Sequence, residues 1–400
     1  MNKPYNIVIS GWYGQRNAGD DAILDVFVQQ ATARSDCTVT VLSEAPHNLP
    51  PTQRRRALMH PVAFGKGTLA VLFKGVMWRH MKVIRDCDLF VLGGGGLLRD
   101  NTNWRNLVRL LDEIWMARLF GRKTMLYAIG VGPFKTRLGK WLIGASVRMC
   151  DLVTVRSERC AALLREIGVP AERIHVVADP AFLLTSDVPQ DPVIRALFSP
   201  AKKRVGFYPT FALLMDFHDE NQLKQLAAGL DGLVESHGVE IVAVPMSVLG
   251  NGLDDVRVAQ LVQSFMRHPQ AMKIYESQLT AQELKWVTAQ ALMNVTVRLH
   301  AMIFSLGANV PVVAINYEPK VANVFTDFGA PEYLVEMDQD LDRNLTAAAR
   351  RCIDNLDTYT EQIRDRRNAV SANSAKTFEL MRALDSSAHA PAGAPNSDKA

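Results

Sequence analysis

Arg298 and His300 stand two residues apart in Val297-Arg298-Leu299-His300-Ala301, where a β-type apolar run, Met293–Val297, gives way to a helical one. An imidazole in that position can deliver a proton to a reacting group, while a neighbouring guanidinium holds an anion. The segment that follows, Ala301-Met302-Ile303-Phe304-Ser305-Leu306, is apolar and solvates neither group. Both must therefore face an opening or be bonded inside. A buried, bonded histidine is the ordinary alternative. A further cation, Lys320, follows the strand-like run that ends at Ile315, through Asn316-Tyr317-Glu318-Pro319. Cations gathered at strand exits favour a site, with Tyr317 beside it.

Three earlier segments have the same position after an apolar run. Gly11 to Asp21 (GWYGQRNAGDD) follows the first such run. It offers Gly14 for a tight turn, Arg16 and Asn17 to reach a ligand, and Asp20 as a helix cap. Its spacing is not G-x-G-x-x-G, and Asp20 and Asp21 stand where a P-loop needs Lys and Ser/Thr, so a nucleoside triphosphate is a poor fit. A purely structural turn remains open. Gly93-Gly94-Gly95-Gly96 precedes Leu97-Leu98-Arg99-Asp100. Four glycines in a row cost backbone entropy and suggest a chain passing very close to a partner, either an anion met by free N–H groups or another protein segment. Thr154-Val155-Arg156-Ser157 places an arginine at a strand end, with Ser157 as a cap; a surface arginine is the alternative. Asp179-Pro180 follows another strand and reads first as a plain stop.

Elements of alternating type must position these groups. Strand-like runs at 6–10, 38–42, 89–92, 124–129, 152–155 and 175–177 alternate with helical patterns, and the rhythm resumes at 204–208, 240–245, 273–275, 293–297 and 310–315. This is the reading of an α/β chain with two doubly wound, Rossmann-like parallel sheets facing a cleft. The expected division is 1–190 for the first domain, 191–203 for a linker and 204–345 for the second domain. A helical segment at 346–385 and a disordered tail at 386–400 complete it. Ligands of such sheets bind beyond the carboxyl ends of the strands, where the singled-out residues fall.

Composition sets the frame. The 400 residues are 48% hydrophobic and 22% charged, with a net charge of +4, which suits a core-forming chain and an anionic small substrate without calling for nucleic acid. Five scattered cysteines without a C-x-x-C pair, and nine dispersed histidines, give no reason to expect disulfides or a metal and point to the cytoplasm. No secretory leader or spanning helix is expected. The segment Leu69 to Ile84, interrupted by Lys74, Arg79, His80 and Lys82, reads as a helix packed on a sheet before it reads as a membrane-surface helix.

Taken in order, these motifs resemble the polysaccharide pyruvyltransferases, a family of GT-B-like architecture. The likeness runs over roughly residues 5–345 and adds Ile129-Gly130-Val131-Gly132-Pro133 and Ala178-Asp179-Pro180 to the segments above. Asp21 stands where the family commonly has Glu. The resemblance implies transfer of pyruvate from phosphoenolpyruvate to two hydroxyls of a sugar or lipid-linked saccharide, forming a cyclic ketal. It implies no cofactor besides that donor, and a place in the cytoplasm that leaves room for peripheral contact with the inner face of the membrane. Arg156, His300 and Lys320 match the family's functional positions, with Arg298 beside them. His300 is the expected general acid, the three other cations the clamp for phosphate and carboxylate. The glycine-rich loops, with Gly14, Arg16, Asn17, Asp20, Gly94, Gly95, Gly96 and Arg99, and with Asp179 and Tyr317, would line the rest of the cleft. Two readings compete: a GT-B glycosyltransferase using a nucleotide sugar, and a non-catalytic nucleotide-binding protein with Glu44 as its ribose-binding acid.

Overall fold

The computed structural model describes residues 4–33, 36–50, 53, 57–59, 76–100, 104–198, 203–215, 220–249, 254–317 and 319–386. The first sheet contains β1 (Tyr5–Ser10), β2 (Cys37–Ser43), β3 (Ala57–Met59), β4 (Leu89–Gly93), β5 (Lys123–Ile129), β6 (Leu152–Val155) and β7 (Ile174–Val176) in the order 3-2-1-4-5-6-7. The second contains β8 (Arg204–Tyr208), β9 (Glu240–Ala243), β10 (Met272–Ile274), β11 (Met293–Thr296), β12 (Val312–Asn316) and β13 (Leu334–Glu336) in the order 10-9-8-11-12-13. All the pairings are parallel.

Strands covered on both faces should be apolar throughout, and β4, Leu-Phe-Val-Leu-Gly, is buried at every position. The two-residue side-chain period sends Val8, Phe90 and Leu92 into one core with Ile84, Leu110, Ile114 and Ile143. Their neighbours Ile7, Ile9, Leu89 and Val91 enter the other core, which continues into the second domain. The order reverses at β1 and β4, and likewise at β8 and β11. Each reversal opens a crevice at the strand ends.

The stretch 191–203 is not featureless. Asp191 accepts from the N–H of Val193 at 2.8 Å and caps a short helix, Pro192–Leu197, which buries Ile194. The part of Leu69 to Ile84 that is described forms the helix Val76–Asp86, which buries Ile84 and brings His80 to 3.4 Å from Glu113. The rest of it lies outside the described residues; of the expected tail 386–400, Ser386 ends the last helix and the remainder lies outside the described residues too.

The final helix, Leu356–Ser386, returns across the molecule to the first sheet. The Phe378 ring packs at a tilt, 5.6 Å from Tyr127 and 6.3 Å from Phe27. Ser374 Oγ donates to the carbonyl of Asp179 at 2.9 Å. The chain end thus braces the strand exit that carries Asp179. Direct contact between the domains also runs from the N–H of Ala18 to the carbonyl of Met246, 3.2 Å.

Candidate active site

The facing strand ends enclose a cavity of about 460 Å³. Its size lies within the roughly 300–1,000 Å³ of small-molecule sites. Asn17, Asp20, Gly95, Gly96, Arg99, Arg156 and Asp179 line it from the first domain, and Arg298, His300 and Tyr317 from the second. Most of the residues singled out in the sequence therefore meet in one place.

Asp179 is the centre of that meeting. It is buried, accepts from Arg156 Nη1 at 3.2 Å and lies 3.8 Å from His300 Nε2. A carboxylate is thereby shared by a guanidinium from the exit of β6 and an imidazole from the opposite domain. The dipeptide that read as a plain strand stop does more: Asp179 also caps the turn Pro180–Leu183 through the N–H of Ala181. His300 is the second residue of the helix Leu299–Gly307, so its backbone stands at the end of a helix that favours anions. Ser157 caps the helix Glu158–Glu166, accepting from the N–H of Cys160 at 3.3 Å. This fixes the exit angle of Arg156.

Three glycines are demanded by close approach. A Cβ on Gly19 would lie 2.0 Å from His300 Nδ1, so the imidazole rests directly on the first turn of the helix Ala18–Thr32. Gly95 has φ +78°, and a Cβ there would meet Asp20 Oδ1 at 2.3 Å. The guanidinium of Arg156 lies against Gly130 in the same way, 2.9 Å from where a Cβ would be. A register shift in β5 between Leu126 and Ile129, with Ala128 at φ 44°, precedes that glycine. Such a bulge re-aims the end of a strand.

Arg298 lines the cavity but its charge is committed. Nε and Nη2 reach Asp255 at 3.2 and 2.6 Å, and Phe211 lies 5.2 Å beneath the guanidinium. Asp255 is 0% exposed and also accepts from the N–H groups of Phe211, Met246 and Ser247 at 2.8–3.0 Å. An arginine so held can present a fixed positive edge, but does not swing as a free clamp.

Other expectations are corrected. Gly14, Arg16 and Gly94 do not line the cavity. Gly14, at φ +74°, turns the chain against Ala45, its N–H donating to Asp21 Oδ1 at 2.9 Å. Arg16 is exposed and reaches the carbonyl of Val248 at 3.3 Å, a contact between domains. Gly94 packs beside Tyr13, whose hydroxyl donates to the carbonyl of Gly93, so half of the glycine run serves tyrosine packing rather than a ligand. The helix cap is Asn17, not Asp20: its Oδ1 accepts from the N–H of Gly19, and its Nδ2 donates to Asp20 Oδ2 at 2.7 Å. Glu44 lies 3.4 Å from Arg109, so its nearest charge is a protein cation. Lys320 begins a helix, Pro319–Phe328, next to the cavity-lining residues, but its side chain lies outside the described residues.

Residues that the sequence reading missed are Arg159, Asp327 and Asp255. Arg159 lines the cavity from the first turn of the helix Glu158–Glu166, which opens just beyond the strand exit that carries Arg156. It had a signal. Asp327 lines the cavity from the other side, and burial raises its carboxyl above the ordinary range. Asp255 had no signal, because the partner it holds is 43 residues away. Among the described residues, no three His, Cys, Asp or Glu side chains are placed to hold a metal ion, and no helix is long and apolar enough to cross a membrane.

Two facing Rossmann-like domains with a strand-end cleft define a GT-B protein. The solved structures it resembles have that architecture. They include a putative UDP-N-acetylglucosamine 2-epimerase from Listeria monocytogenes, with a TM-score of 0.63 at 15% identity over 96% of both chains. A sucrose-phosphate synthase from Thermosynechococcus elongatus matches with a TM-score of 0.62 at 15% identity, over 96% of this chain and 100% of the other. Within that class the sequence is specific: residues 17–319 match the polysaccharide pyruvyl transferase model, and the chain belongs to that family. The amylovoran biosynthesis protein AmsJ of Erwinia amylovora is 23% identical over 258 residues, 60% of this chain and 61% of the relative's length.

Proposed function

We propose that the protein transfers pyruvate from phosphoenolpyruvate to two hydroxyls of a saccharide in polysaccharide biosynthesis, forming a cyclic ketal. The observation that supports this is the convergence of Arg156 and His300 on Asp179 in a cavity that Arg99, Arg159 and Arg298 also line. A phosphate and a carboxylate on one small donor need several fixed cations.

In the proposed reaction His300 protonates the methylene carbon of the donor, which becomes the methyl group. Asp179 supplies the countercharge for the imidazolium. A sugar hydroxyl attacks the central carbon, the C–O bond to phosphate breaks, and a second hydroxyl closes the ketal. Of the two hydroxyl protons, one replaces that given by His300 and the other leaves on hydrogen phosphate. Arg156, Arg99 and Arg159 stabilise the departing phosphate, and Arg298, held by Asp255, provides a fixed positive wall. Lys320 is assigned to the same clamp on its position in the family motif. The acceptor is a sugar or a lipid-linked saccharide, and the reaction needs no metal or further cofactor.

Incubation with phosphoenolpyruvate and candidate saccharides, read by phosphate release and by the ketal methyl signal in NMR, tests the proposal. His300→Ala should abolish turnover while thermal stabilisation by phosphoenolpyruvate persists. Turnover by that variant at the normal rate removes His300 as the acid. Stabilisation by UDP, with which some fold relatives were solved in complex, and none by phosphoenolpyruvate, would move the protein to the nucleotide-sugar reading.

A further inference from the structure

Three neighbouring helices of the first domain cover the sheet face remote from the final helix: Val76–Asp86, Trp104–Leu119 and Arg137–Met149. Four of the six tryptophans of the chain belong to them, and all four are exposed, Trp78 by 69% and Trp141 by 60%. Trp115 is explained, since its indole N–H donates to Ser146 Oγ at 2.8 Å and ties two of the helices together. Trp78, Trp104, Leu138 and Trp141 have no such account. They occupy the first two turns of their helices. Large apolar side chains grouped in this way at a surface mark an interaction site.

Charge on the same helix ends is one-sided. None of the three helices has an acidic residue in its first turn, although negative charge is what a helix N-terminus favours. Arg79, Arg137 and Lys140 stand in those first turns instead, and Lys82 one turn further on. Asp100 is engaged by the N–H groups of Lys135 and Thr136, and Glu166 pairs with Lys140, so the cations that give the patch its charge are Arg79, Lys82 and Arg137. Cations placed against the helix dipole call for an anionic partner. Tryptophan with lysine and arginine is the composition that settles at the headgroup level of a bilayer.

The position of this patch relative to the cleft gives it a use. Parallel βαβ units start each helix at the carboxyl end of the sheet, where the cavity opens. Gly130, Val131, Gly132 and Pro133 line the cavity and lead directly into Arg137–Met149; Arg99 lines it just before Trp104. We infer that the helix starts bearing Trp78, Trp104, Leu138 and Trp141, with their flanking cations, dock on the surface of an anionic phospholipid bilayer beside the mouth of the cleft. Presentation of a lipid-linked saccharide to that mouth rests on the function proposed above. The docking itself does not.

Sedimentation with vesicles of phosphatidylcholine, with and without phosphatidylglycerol, tests the inference without using activity. The wild-type chain should bind the phosphatidylglycerol vesicles at low salt and release from them at high salt. Trp78→Ser with Trp141→Ser should weaken binding about tenfold or more. Arg79→Gln with Arg137→Gln, which leaves the apolar patch intact, should weaken it by about fivefold for each cation removed. Absence of wild-type binding to the anionic vesicles overturns the inference, as does unchanged binding by the two double variants. A wild-type dimer that the tryptophan variant converts to a monomer, with no binding to vesicles, would assign the patch to a second copy of the chain and equally overturn it.

Discussion

Arg298 grips Asp255 through two guanidinium nitrogens, and the carboxylate so held is the same one that fastens the backbone of Phe211, Met246 and Ser247. One buried charge pair thus fixes the exits of β8, β9 and β11 on the second domain's side of the cleft. Removing one member of such a pair leaves the other uncompensated. Asp255→Asn should lower the stability of the chain by about 3–5 kcal/mol. Denaturant unfolding measures this; a loss within a few tenths would show that the pair is not structural.

The contact of Gly19 with His300 allows the imidazole to be displaced without changing it. Gly19 has an ordinary helical backbone, so alanine adds no strain of its own, yet its methyl would fall 2.0 Å from Nδ1. A shift of about 1 Å in a catalytic group can cost on the order of 100-fold in rate. Gly19→Ala should therefore reduce turnover by about that factor, at a cost of about 1–3 kcal/mol in stability for the crowding that leaves the chain folded. Normal turnover would show that the ring has room to move or does not act.

Much of this site was legible because strand exits are legible. Runs such as Leu89–Leu92 and Met293–Val297 announce parallel strands, and Arg156 and His300 are polar residues immediately beyond such runs. The three-residue β3 and β13 were not read, although the equally short β7 and β10 were: three positions establish no period, and such strands are found only where the alternation of neighbouring elements points to them. Asp20 was read as the helix cap, and hydrogen bonding across the turn gives that role to Asn17 instead. The glycine run was read as an approach to a ligand. Which of its members press on Tyr13, Tyr127 or Asp20 is a tertiary fact that no local pattern carries.

The carboxylates on the first helix make stability depend on pH. Burial raises Asp21 to about 7, with repulsion from Asp20 adding to it and the Gly14 N–H opposing. Burial likewise raises Asp25 to about 7, helped by Asp21 and Asp187. Both folded values exceed the unfolded one of 3.8, so between pH 4 and 7 the native state holds protons that the unfolded chain has lost. Stability must then fall as pH rises through that window, by up to about 1.4 kcal/mol per pH unit for one such group. Asp25→Asn should remove its share. The stability curves of variant and wild type should diverge, in favour of the variant, from pH 4 to 7 and run parallel above. Curves that stay parallel throughout would mean that Asp25 is ionised at no cost.

The last helix should matter to the active site as well as to the fold. Phe378 is fully buried between Phe27 and Tyr127, and Ser374, one turn earlier, holds the carbonyl of the residue shared by Arg156 and His300. Truncating a buried phenylalanine to alanine costs about 3–5 kcal/mol. Phe378→Ala should lose that much by denaturant unfolding. Ser374→Ala removes one hydrogen bond to the backbone, worth about 1 kcal/mol, and leaves every side chain of the cavity in place. If the helix merely adds stability, both variants should turn over normally wherever they remain folded. If it positions Asp179, Ser374→Ala should lower turnover more than its small stability loss explains, and the pH profile of turnover should move with it. An unchanged pH profile in Ser374→Ala would confine the helix to a structural role.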